Sequence, residues 1–521
     1  MVRITVLDGA GCIGGNKILL EDGAARLFFD FGTNFSTQGH YYEEFLKPKS
    51  CQGIYEPIRM GLLPPFRDLY RPDMITKLCE EHGLWEDVGA KDIGEVGGVL
   101  VSHAHVDHIG SIHFLRSDIP VYCSPVTAAV SRALQDAGKG ATAAEYCYYT
   151  PREYVEGDCE GLRTIRNGEA QTRTFYLTAP PPQEFVEQWQ TLPQSRKSLK
   201  VEEFKQAELC GGLRVRGFPV DHSVYGASAW AVETSSGWVV YTGDLRVSGK
   251  YGDATWRFVE EAAKLKPAVL IIEGTRINAK RGLNEEQVRD SCLEVVRRHK
   301  GLIVADFGPR NVERLLVFMD VARETHRSLA VLPADAYLLD MMRKAAGDSG
   351  LVPSIDDSVI KVYWEYQSQV ESWKKYLREA HPESLFVRPD DVRANQGDFI
   401  CCFSFWDINE LAYIKPVDDS AYVFSSCEAF NEEMAIDARR LRNWINRFGL
   451  KLYGRLDQSD QESDPFHVSG HASGPELAEI VEGIRPKVLI PVHSEHPSAY
   501  QDLLGNMCRV EIPENGKAIE L

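Results

Sequence analysis

The sequence lacks the features that mark several common protein classes. Its 12 cysteines in 521 residues include no Cys-x-x-Cys pair, which argues against a zinc ribbon and predicts reduced thiols in place of a disulfide framework. No apolar run reaches the roughly 18 residues that a membrane-spanning helix requires. The first residues are typical of a strand and lack the long apolar core of a signal peptide. We therefore expect a cytoplasmic protein without a membrane partner.

The chain also lacks an excess of basic residues. Lysine and arginine number 58 against 76 acidic residues, so the formal net charge is −18, whereas nucleic-acid-binding proteins usually present a basic surface. A local basic groove remains compatible with this charge, because charges are screened beyond about 10 Å. The candidates, each of which is more often a solvated helix face, are Lys280 with Arg281, Arg310 with Arg314, and Arg439, Arg440 and Arg442.

The most informative motif is His103-Ala-His-Val-Asp-His108, which follows the apolar residues Val99–Val101. Residues two apart at the end of a strand face the same side, so His103 and His105 can converge on one point. Asp107 and His108 begin a turn and can address a second point nearby. Imidazoles and carboxylates bind zinc and neighbouring first-row metals, so the motif predicts a two-metal hydrolytic site. The alternative, a solvated polar loop, is disfavoured by this density of ligands.

Two further candidate ligands follow apolar strand patterns downstream. His222 follows Phe218-Pro-Val-Asp, and Asp244 ends the segment 237–244. Because each oxygen of a carboxylate can bind one metal, Asp244 can bridge two ions. Taken alone, His222 is also compatible with a capping or core histidine, and Asp244 with an ordinary turn residue. Their order after residues 103–108 favours the metal site.

These motifs resemble those of the metallo-β-lactamase superfamily, whose signature is His-x-His-x-Asp-His. Asp30 resembles the superfamily's first aspartate, which supports the metal-bearing loop. Three later segments, ending in or containing Glu273, His471 and His493, resemble the motifs of the β-CASP branch, whose members are nucleases. The sequences around the two histidines resemble those of the ribonuclease J family, and so does the segment 305–314. The resemblance covers most of residues 1–36 and 95–521.

The resemblance implies an α/β fold, a metallo-β-lactamase αββα sandwich with an inserted β-CASP α/β domain. The expected metallo-β-lactamase parts are 1–278, with insertions near 37–95 and 148–212, and 463–521. The β-CASP domain is expected at 279–462, where alternating strand and helix patterns predict a parallel sheet with helices on both faces. Residues 140–212, which contain Pro180-Pro-Pro182, are expected to be a surface excursion.

The sequence departs from the ribonuclease J pattern in two places. It ends soon after the last motif, so we expect no separate C-terminal domain of that family. The family's Gly-Ser/Thr-Gln-Gly-Glu-Pro element, which shapes the nucleotide path, is not recognisable, and Cys401–Asp407 stands in its place. The details of the substrate are therefore less predictable than the chemistry.

From the motifs we expect two Zn²⁺ ions, with Mn²⁺ as a substitute. The first is assigned to His103, His105, His222 and Asp244, and the second to Asp107, His108, His493 and the shared Asp244. The resemblance implies Asp107, Glu273 and His471 as catalytic residues. The candidates for binding a substrate phosphate are Ser469, Gly470 and Arg310, of which Arg310 lies in the segment that resembles the family.

The resulting hypothesis is a zinc-dependent phosphodiester hydrolase, foremost a ribonuclease acting on single-stranded RNA, with 5′–3′ exonucleolytic cleavage as one option. A metallohydrolase acting on DNA or a small phosphodiester is the first alternative, favoured by the acidic charge and the altered segment 401–407. A catalytically idle scaffold is the second, opposed by the intact ligand set. A homo-oligomer is left open.

Overall fold

Three large sheets organise the computed structural model. The structure describes residues 1–43, 45–138, 144–157, 160–165, 168–191, 199–308, 310–426, 432–456 and 464–521. The predicted domain boundary between residues 462 and 463 lies outside the described residues. Within the described ranges, no helix is both long and apolar enough to cross a lipid bilayer.

The first sheet has eight strands and includes the first strand of the chain. Its strands, in spatial order, are Lys205–Gln206, Phe175–Leu177, Val121–Cys123, Val99–Leu100, Ala25–Phe31, Lys17–Asp22, Val2–Asp8 and Ala518–Glu520. Successive side chains alternate between the two faces of a strand. Leu27 and Phe29 therefore point to one side, whereas Phe28 points to the other, and all three are fully buried.

The second sheet has seven strands and faces the first. Its strands, in spatial order, are Leu209–Cys210, Leu213–Pro219, Ser228–Thr234, Gly237–Tyr241, Val269–Glu273, Val488–Val492 and Arg509–Val510. One apolar cluster, which includes Phe29 of the first sheet and Trp230 and Ile271 of the second, fills the space between them. Burying a side chain of this size stabilises a fold by about 1.5–3 kcal/mol. The two sheets thus form a sandwich.

Helices cover the outer faces of the sandwich. Phe258 and Ile480, from two such helices, pack on Leu270 and Ile272 of the second sheet. The helices of this part of the chain are Phe35–Gly39, Tyr55–Arg59, Leu78–Glu81, Leu84–Asp87, Val106–Ile109, Pro125–Ala137, Gln183–Trp189, Gly252–Leu265, Gly474–Ile484 and Ala499–Leu504. The layers are therefore helix, sheet, sheet, helix.

The third sheet has seven strands, and every adjacent pair is parallel. Its strands, in spatial order, are Phe386–Val387, Ile360–Tyr363, Ser328–Val331, Phe399–Cys402, Ile303–Asp306, Ala421–Phe424 and Lys451–Tyr453. The accompanying helices are Glu285–Arg298, Val312–Glu324, Pro333–Ala346, Ser372–Ala380, Pro389–Ala394, Leu411–Ile414 and Glu432–Arg447. Cys401 and Cys402 enter apolar clusters on opposite faces, so helices pack on both sides as predicted.

The prediction of a surface excursion at residues 140–212 is wrong for much of that segment. Phe175–Leu177 pairs in parallel with Val121–Cys123 inside the first sheet. Phe185 and Trp189 are at most 1% exposed. Pro182, which reads as a loop residue in the sequence, is instead the N-cap of the helix Gln183–Trp189, a position where proline's missing N–H costs little.

Candidate metal centre

Strand ends bring the candidate ligands to one edge of the sandwich. In the second sheet His222 and Asp244 follow the strands Leu213–Pro219 and Gly237–Tyr241, which point the same way as Val269–Glu273 and Val488–Val492. The last of these strands is followed by His493. From the first sheet, Val99–Leu100 leads into the histidine-rich motif. The motif continues as the helix Val106–Ile109, with His105 as its N-cap, so Asp107 and His108 lie in a short helix that follows the strand.

The first group of donor atoms consists of His103, His105, His222 and Asp244, which lie within 4.8 Å of one another. His103 Nε2 is 2.9 Å from His105 Nδ1, and His222 Nε2 is 3.2 Å from the same atom. Asp244 Oδ2 is 3.6 Å from His103 Nε2. All but His105 are buried.

The second group shares Asp244 and adds Asp107, His108 and His493, again within 4.8 Å. His108 Nε2 is 3.1 Å from Asp244 Oδ2, and His493 Nε2 is 3.2 Å from Asp107 Oδ2. The structure thus places Asp244 between the two sets of residues that the motifs assign to separate ions.

A layer of hydrogen bonds orients these rings. Asp30 Oδ2 accepts from His108 Nδ1 and from the Tyr241 hydroxyl, each at 2.7 Å. The Gly470 carbonyl lies 2.6 Å from His222 Nδ1, and Thr275 Oγ1 lies 2.8 Å from His493 Nδ1. Such contacts fix which nitrogen of an imidazole is presented to a metal.

Backbone geometry at the site requires glycine and tolerates strain. A Cβ on Gly14, whose φ is +81°, would lie 2.7 Å from Asp107 Oδ2, and one on Gly32 would overlap the Asp107 carbonyl. Asp30 and His493 themselves adopt left-handed φ values of 53° and 52°. Non-glycine residues rarely hold this conformation, and such strain concentrates at functional sites.

His471 and Glu273 form a pair beside the second group. His471 Nδ1 is 3.0 Å from Glu273 Oε2, and Glu273 Oε1 accepts from the Leu245 backbone N–H at 2.9 Å. A third set of donor atoms joins this pair with Asp244 and His493 within 4.8 Å. Burial alone would lower the pKa of His471, but the Glu273 carboxylate outweighs it and raises that pKa to about 9.

Burial and mutual repulsion set the charge states of the donor groups. Burial, with neighbouring imidazoles, lowers the pKa of His103 and His222 well below the usual histidine value, and burial with Arg310 lowers the pKa of His105 to about 3. Burial would raise the pKa of Asp244, but His108 and His493 hold it well below its usual range. Neutral imidazoles in the first donor group, with an ionised Asp244, are the protonation states that metal ligands adopt. In the second group burial would lower the pKa of His108, but the Asp244, Asp107 and Asp30 carboxylates outweigh burial and raise that pKa well above its usual value.

The donor set fits a metal cofactor. Asp244 Oδ1 is buried and has no hydrogen-bond partner among the described residues, although an unpaired buried carboxylate oxygen is costly. A cation at this position would satisfy that oxygen. Histidine nitrogens and carboxylate oxygens are the donors that zinc and neighbouring metals prefer.

The predicted phosphate-binding residues lie close to this centre. Arg310 donates from Nη1 to the Ala104 carbonyl at 3.3 Å, which places a guanidinium directly beside the histidine-rich motif. A Cβ on Gly470 would meet Ser223 Oγ at 2.7 Å. Ser469 Oγ accepts from the His471 backbone N–H at 3.2 Å. Their role in holding a phosphate stays a prediction.

The structure corrects one of the other basic candidates. Arg314 is fully buried, pairs with Glu285 at 3.0 Å and donates to the carbonyls of Ser425 and Phe466. It is therefore unavailable to a substrate phosphate. Arg281 pairs with Glu479 on the surface.

Several supporting residues were not found from the sequence. Tyr241, Ser102 and Thr275 contact the candidate ligands or Asp30, yet nothing in a single sequence separates them from ordinary strand and turn residues. Gly14-Gly15 offered a weak signal, because consecutive glycines before an apolar strand mark a close backbone approach.

Comparison with known proteins supports the same assignment. Residues 464–507 match the family described as the Zn-dependent metallo-hydrolase RNA specificity domain. Ribonuclease J of Pyrococcus abyssi is 22% identical over 539 residues, covering 100% of this chain and 97% of that relative. The chain is thus similar to ribonuclease J along its length, and its C-terminal segment is similar to a zinc-dependent metallo-hydrolase domain. Its sandwich and inserted α/β domain are the fold that the sequence motifs imply.

Other relatives set the limits of this likeness. Ribonuclease J of Helicobacter pylori strain 26695 is 20% identical over 502 residues, which cover 95% of this chain and 56% of the relative. The chain thus spans little more than half the length of that protein. A crystal structure of a protein of unknown function from Enterococcus faecalis V583 superposes with a TM-score of 0.65 at 21% identity, covering 100% of both chains.

Proposed function

We propose that the chain is a metal-dependent ribonuclease that hydrolyses phosphodiester bonds in single-stranded RNA. The observation that carries this proposal is the pair of donor groups sharing Asp244, with His471 and Glu273 beside them. The match to an RNA specificity domain includes both His471 and His493, which supports RNA as the substrate.

We further propose that the two donor groups hold two Zn²⁺ ions, or Mn²⁺ in their place. His103, His105 and His222 would hold one, Asp107, His108 and His493 the other, and Asp244 would bridge them. Ions so held lower the pKa of water toward neutrality and stabilise charge on phosphate oxygens. On this proposal, residues 1–278 and 463–521 form the metallo-β-lactamase part and residues 279–462 the β-CASP domain.

The chain's own residues would position the phosphate and manage its proton. Arg310 is close enough to the histidine-rich motif to neutralise a phosphate oxygen, and guanidinium groups suit this task. His471, held by Glu273, would donate a proton to the leaving oxygen or stabilise the charged phosphorane. Asp107, supported through its backbone by Gly15, would keep the second donor group in place.

The test is cleavage by purified protein loaded with zinc or manganese. Substrates are single-stranded RNA and DNA oligonucleotides of one sequence, each with a 5′-phosphate, with a 5′-hydroxyl, or with an internal block. We expect RNA to be cleaved and DNA to be spared. Faster cleavage of DNA or of a bis-aryl phosphodiester would favour the alternative, a metallohydrolase acting on DNA or a small phosphodiester. The acidic charge of the chain supports that alternative. Absence of cleavage with every metal would contradict the proposal.

A further inference from the structure

A second concave site lies in the inserted domain, away from the donor groups. It is a cavity of about 220 Å³ at the carboxyl ends of three adjacent strands, Ser328–Val331, Phe399–Cys402 and Ile303–Asp306. After Ile303–Asp306 the chain forms Ser328–Val331 and two further strands on one side of the sheet. Phe399–Cys402 then inserts between Ser328–Val331 and Ile303–Asp306, and the last two strands lie on the other side. Open parallel sheets bind ligands at such a change of strand order.

The lining of the cavity is apolar on its walls and acidic at one end. The walls include Val331, Leu338 and Met342, all at most 6% exposed. Asp335 and Asp407 provide the acidic end. Burial, with the nearby Asp407 carboxylate, raises the pKa of Asp335 to about 8. A mostly apolar cavity with a few polar groups is typical of a small-molecule or base-binding site.

We propose that this cavity binds a nucleobase that carries an exocyclic amine, with the amine donating to Asp335 and Asp407. The volume is large enough for one purine ring system. A carboxyl group accepts hydrogen bonds in either protonation state and has lone pairs for about four of them when ionised, so an amine finds an acceptor there. Uracil offers no amine, and a phosphate would be repelled by the Asp407 carboxylate.

The surroundings favour a base of the RNA chain as the occupant. Phe307 and Val312 line the cavity, and between them Arg310 reaches the carbonyl of Ala104 in the histidine-rich motif. Trp406, which lies between the lining residues Ser404 and Asp407 in the chain, is 74% exposed. Exposed aromatic side chains stack on unpaired bases in single-stranded nucleic acid sites. This inference rests on the proposed function only for its ligand, RNA.

The test measures binding of nucleosides to the full-length, metal-loaded protein by calorimetry. Nucleosides carry no phosphate, so the metal centre contributes little. Adenosine should bind about tenfold more tightly than purine riboside, which lacks only the 6-amino group, because the hydrogen bonds from that amine to the two carboxyl groups are at stake. Uridine should bind no better than purine riboside. Asp335→Ala should remove the difference, and Leu338→Trp should abolish binding by filling the cavity.

Matched measurements keep the outcome interpretable. Asp390→Ala, an exposed acid of the same domain, should leave adenosine binding unchanged, and Asp335→Asn serves if Leu338→Trp does not fold. Equal affinities for adenosine and purine riboside, or unchanged adenosine binding in Asp335→Ala, would overturn the proposal. Cleavage of RNA without such binding would leave the ribonuclease standing and remove the base site. Binding of adenosine through the cavity without cleavage of RNA would support the base site and contradict the proposed ribonuclease activity.

Discussion

Asp244 shows how much of the site depends on a single side chain. Its Oδ2 lies between 3.1 and 4.0 Å from ring nitrogens of His103, His108, His222 and His493. Replacement with asparagine keeps the shape and removes the charge. If Asp244 bridges two ions, Asp244→Asn should lower the metal content from about two per chain to below one, as measured by elemental analysis. Asp340→Asn, a buried acid of the inserted domain, should keep its metal. Equal metal content in both variants would contradict the bridging role.

A variant of His471 distinguishes a catalytic role of this residue from a structural one. Its Nδ1 is bound to Glu273, so its other ring nitrogen is available to a leaving group. His471→Ala should keep the metals and the fold, with some loss of stability because buried Glu273 loses its partner, but should lower kcat by about 10²–10⁴-fold, the range for a positioned acid–base group. His467→Gln, in the same motif, is the control. A large fall in melting temperature with activity reduced only in proportion would show that His471 packs the two domains together.

Asp335 should make stability depend on pH. Its pKa is about 8 in the folded chain against 3.8 for an ordinary aspartate, because burial disfavours the charged form. The folded state therefore holds its proton more tightly, and stability should fall as pH rises from about 4 to about 8. Asp335→Asn should raise the melting temperature more at pH 8 than at pH 5. An identical gain at both pH values would show that the carboxyl does not titrate in this range.

At the scale of helices and strands, a buried ion-pair network ties the inserted domain to the sandwich. Arg246, two residues after Asp244, pairs with Asp221 at 3.1 Å and also binds Glu313 of the helix Val312–Glu324. Glu285, at the start of Glu285–Arg298, lies 3.6 Å from Arg246 Nη1. The residues flanking two candidate metal ligands are thus held by two helices of the inserted domain.

The neighbouring Arg314–Glu285 pair, which joins two helices of the inserted domain, tests how much a buried pair in this region contributes to stability. Removing one partner of a buried pair leaves the other charge uncompensated, at a cost of about 3–5 kcal/mol. Arg314→Met should therefore destabilise the chain by this amount, as measured by urea unfolding. Arg281→Met removes an exposed pair with Glu479 and should cost less than about 1 kcal/mol. Equal effects of the two variants would contradict a structural role for the buried pair.

Local patterns made the elements predictable and left their contacts hidden. Asn311 caps the helix Val312–Glu324, because its side chain accepts from the Arg314 N–H, and such a cap depends on a few adjacent residues. The candidate ligands also follow strand patterns, and parallel strands bring their ends to one edge. The Arg246 network joins residues 25 to 67 positions apart, which no local pattern encodes. The prediction of a surface excursion around the three prolines at 180–182 was wrong for the same reason, since only tertiary packing shows that a buried helix follows them.

For the whole molecule, the net charge of −18 sets a condition on any interaction with RNA. Such a body repels phosphates at long range, so attraction must come from few cations close to the metal centre. The dependence of binding on salt measures how many phosphates are neutralised, with a slope of about −0.7 per contact for single strands. We therefore expect a shallow slope of log Kd against log salt concentration, in contrast to a basic nucleic-acid-binding protein.

Arg310 is the cation expected to account for part of that slope. It reaches the carbonyl of Ala104, and burial lowers its pKa while Asp107 opposes the change, so the charge is held beside the donor groups. Arg310→Ala should weaken binding of a non-cleavable RNA by about tenfold at low salt and reduce the slope by about 0.7. Arg439→Ala, on an exposed helix face, should change neither. A slope that is unaltered in Arg310→Ala would mean that the phosphate is held elsewhere, and the backbone of Ser469 and Gly470 would then be the next residues to test.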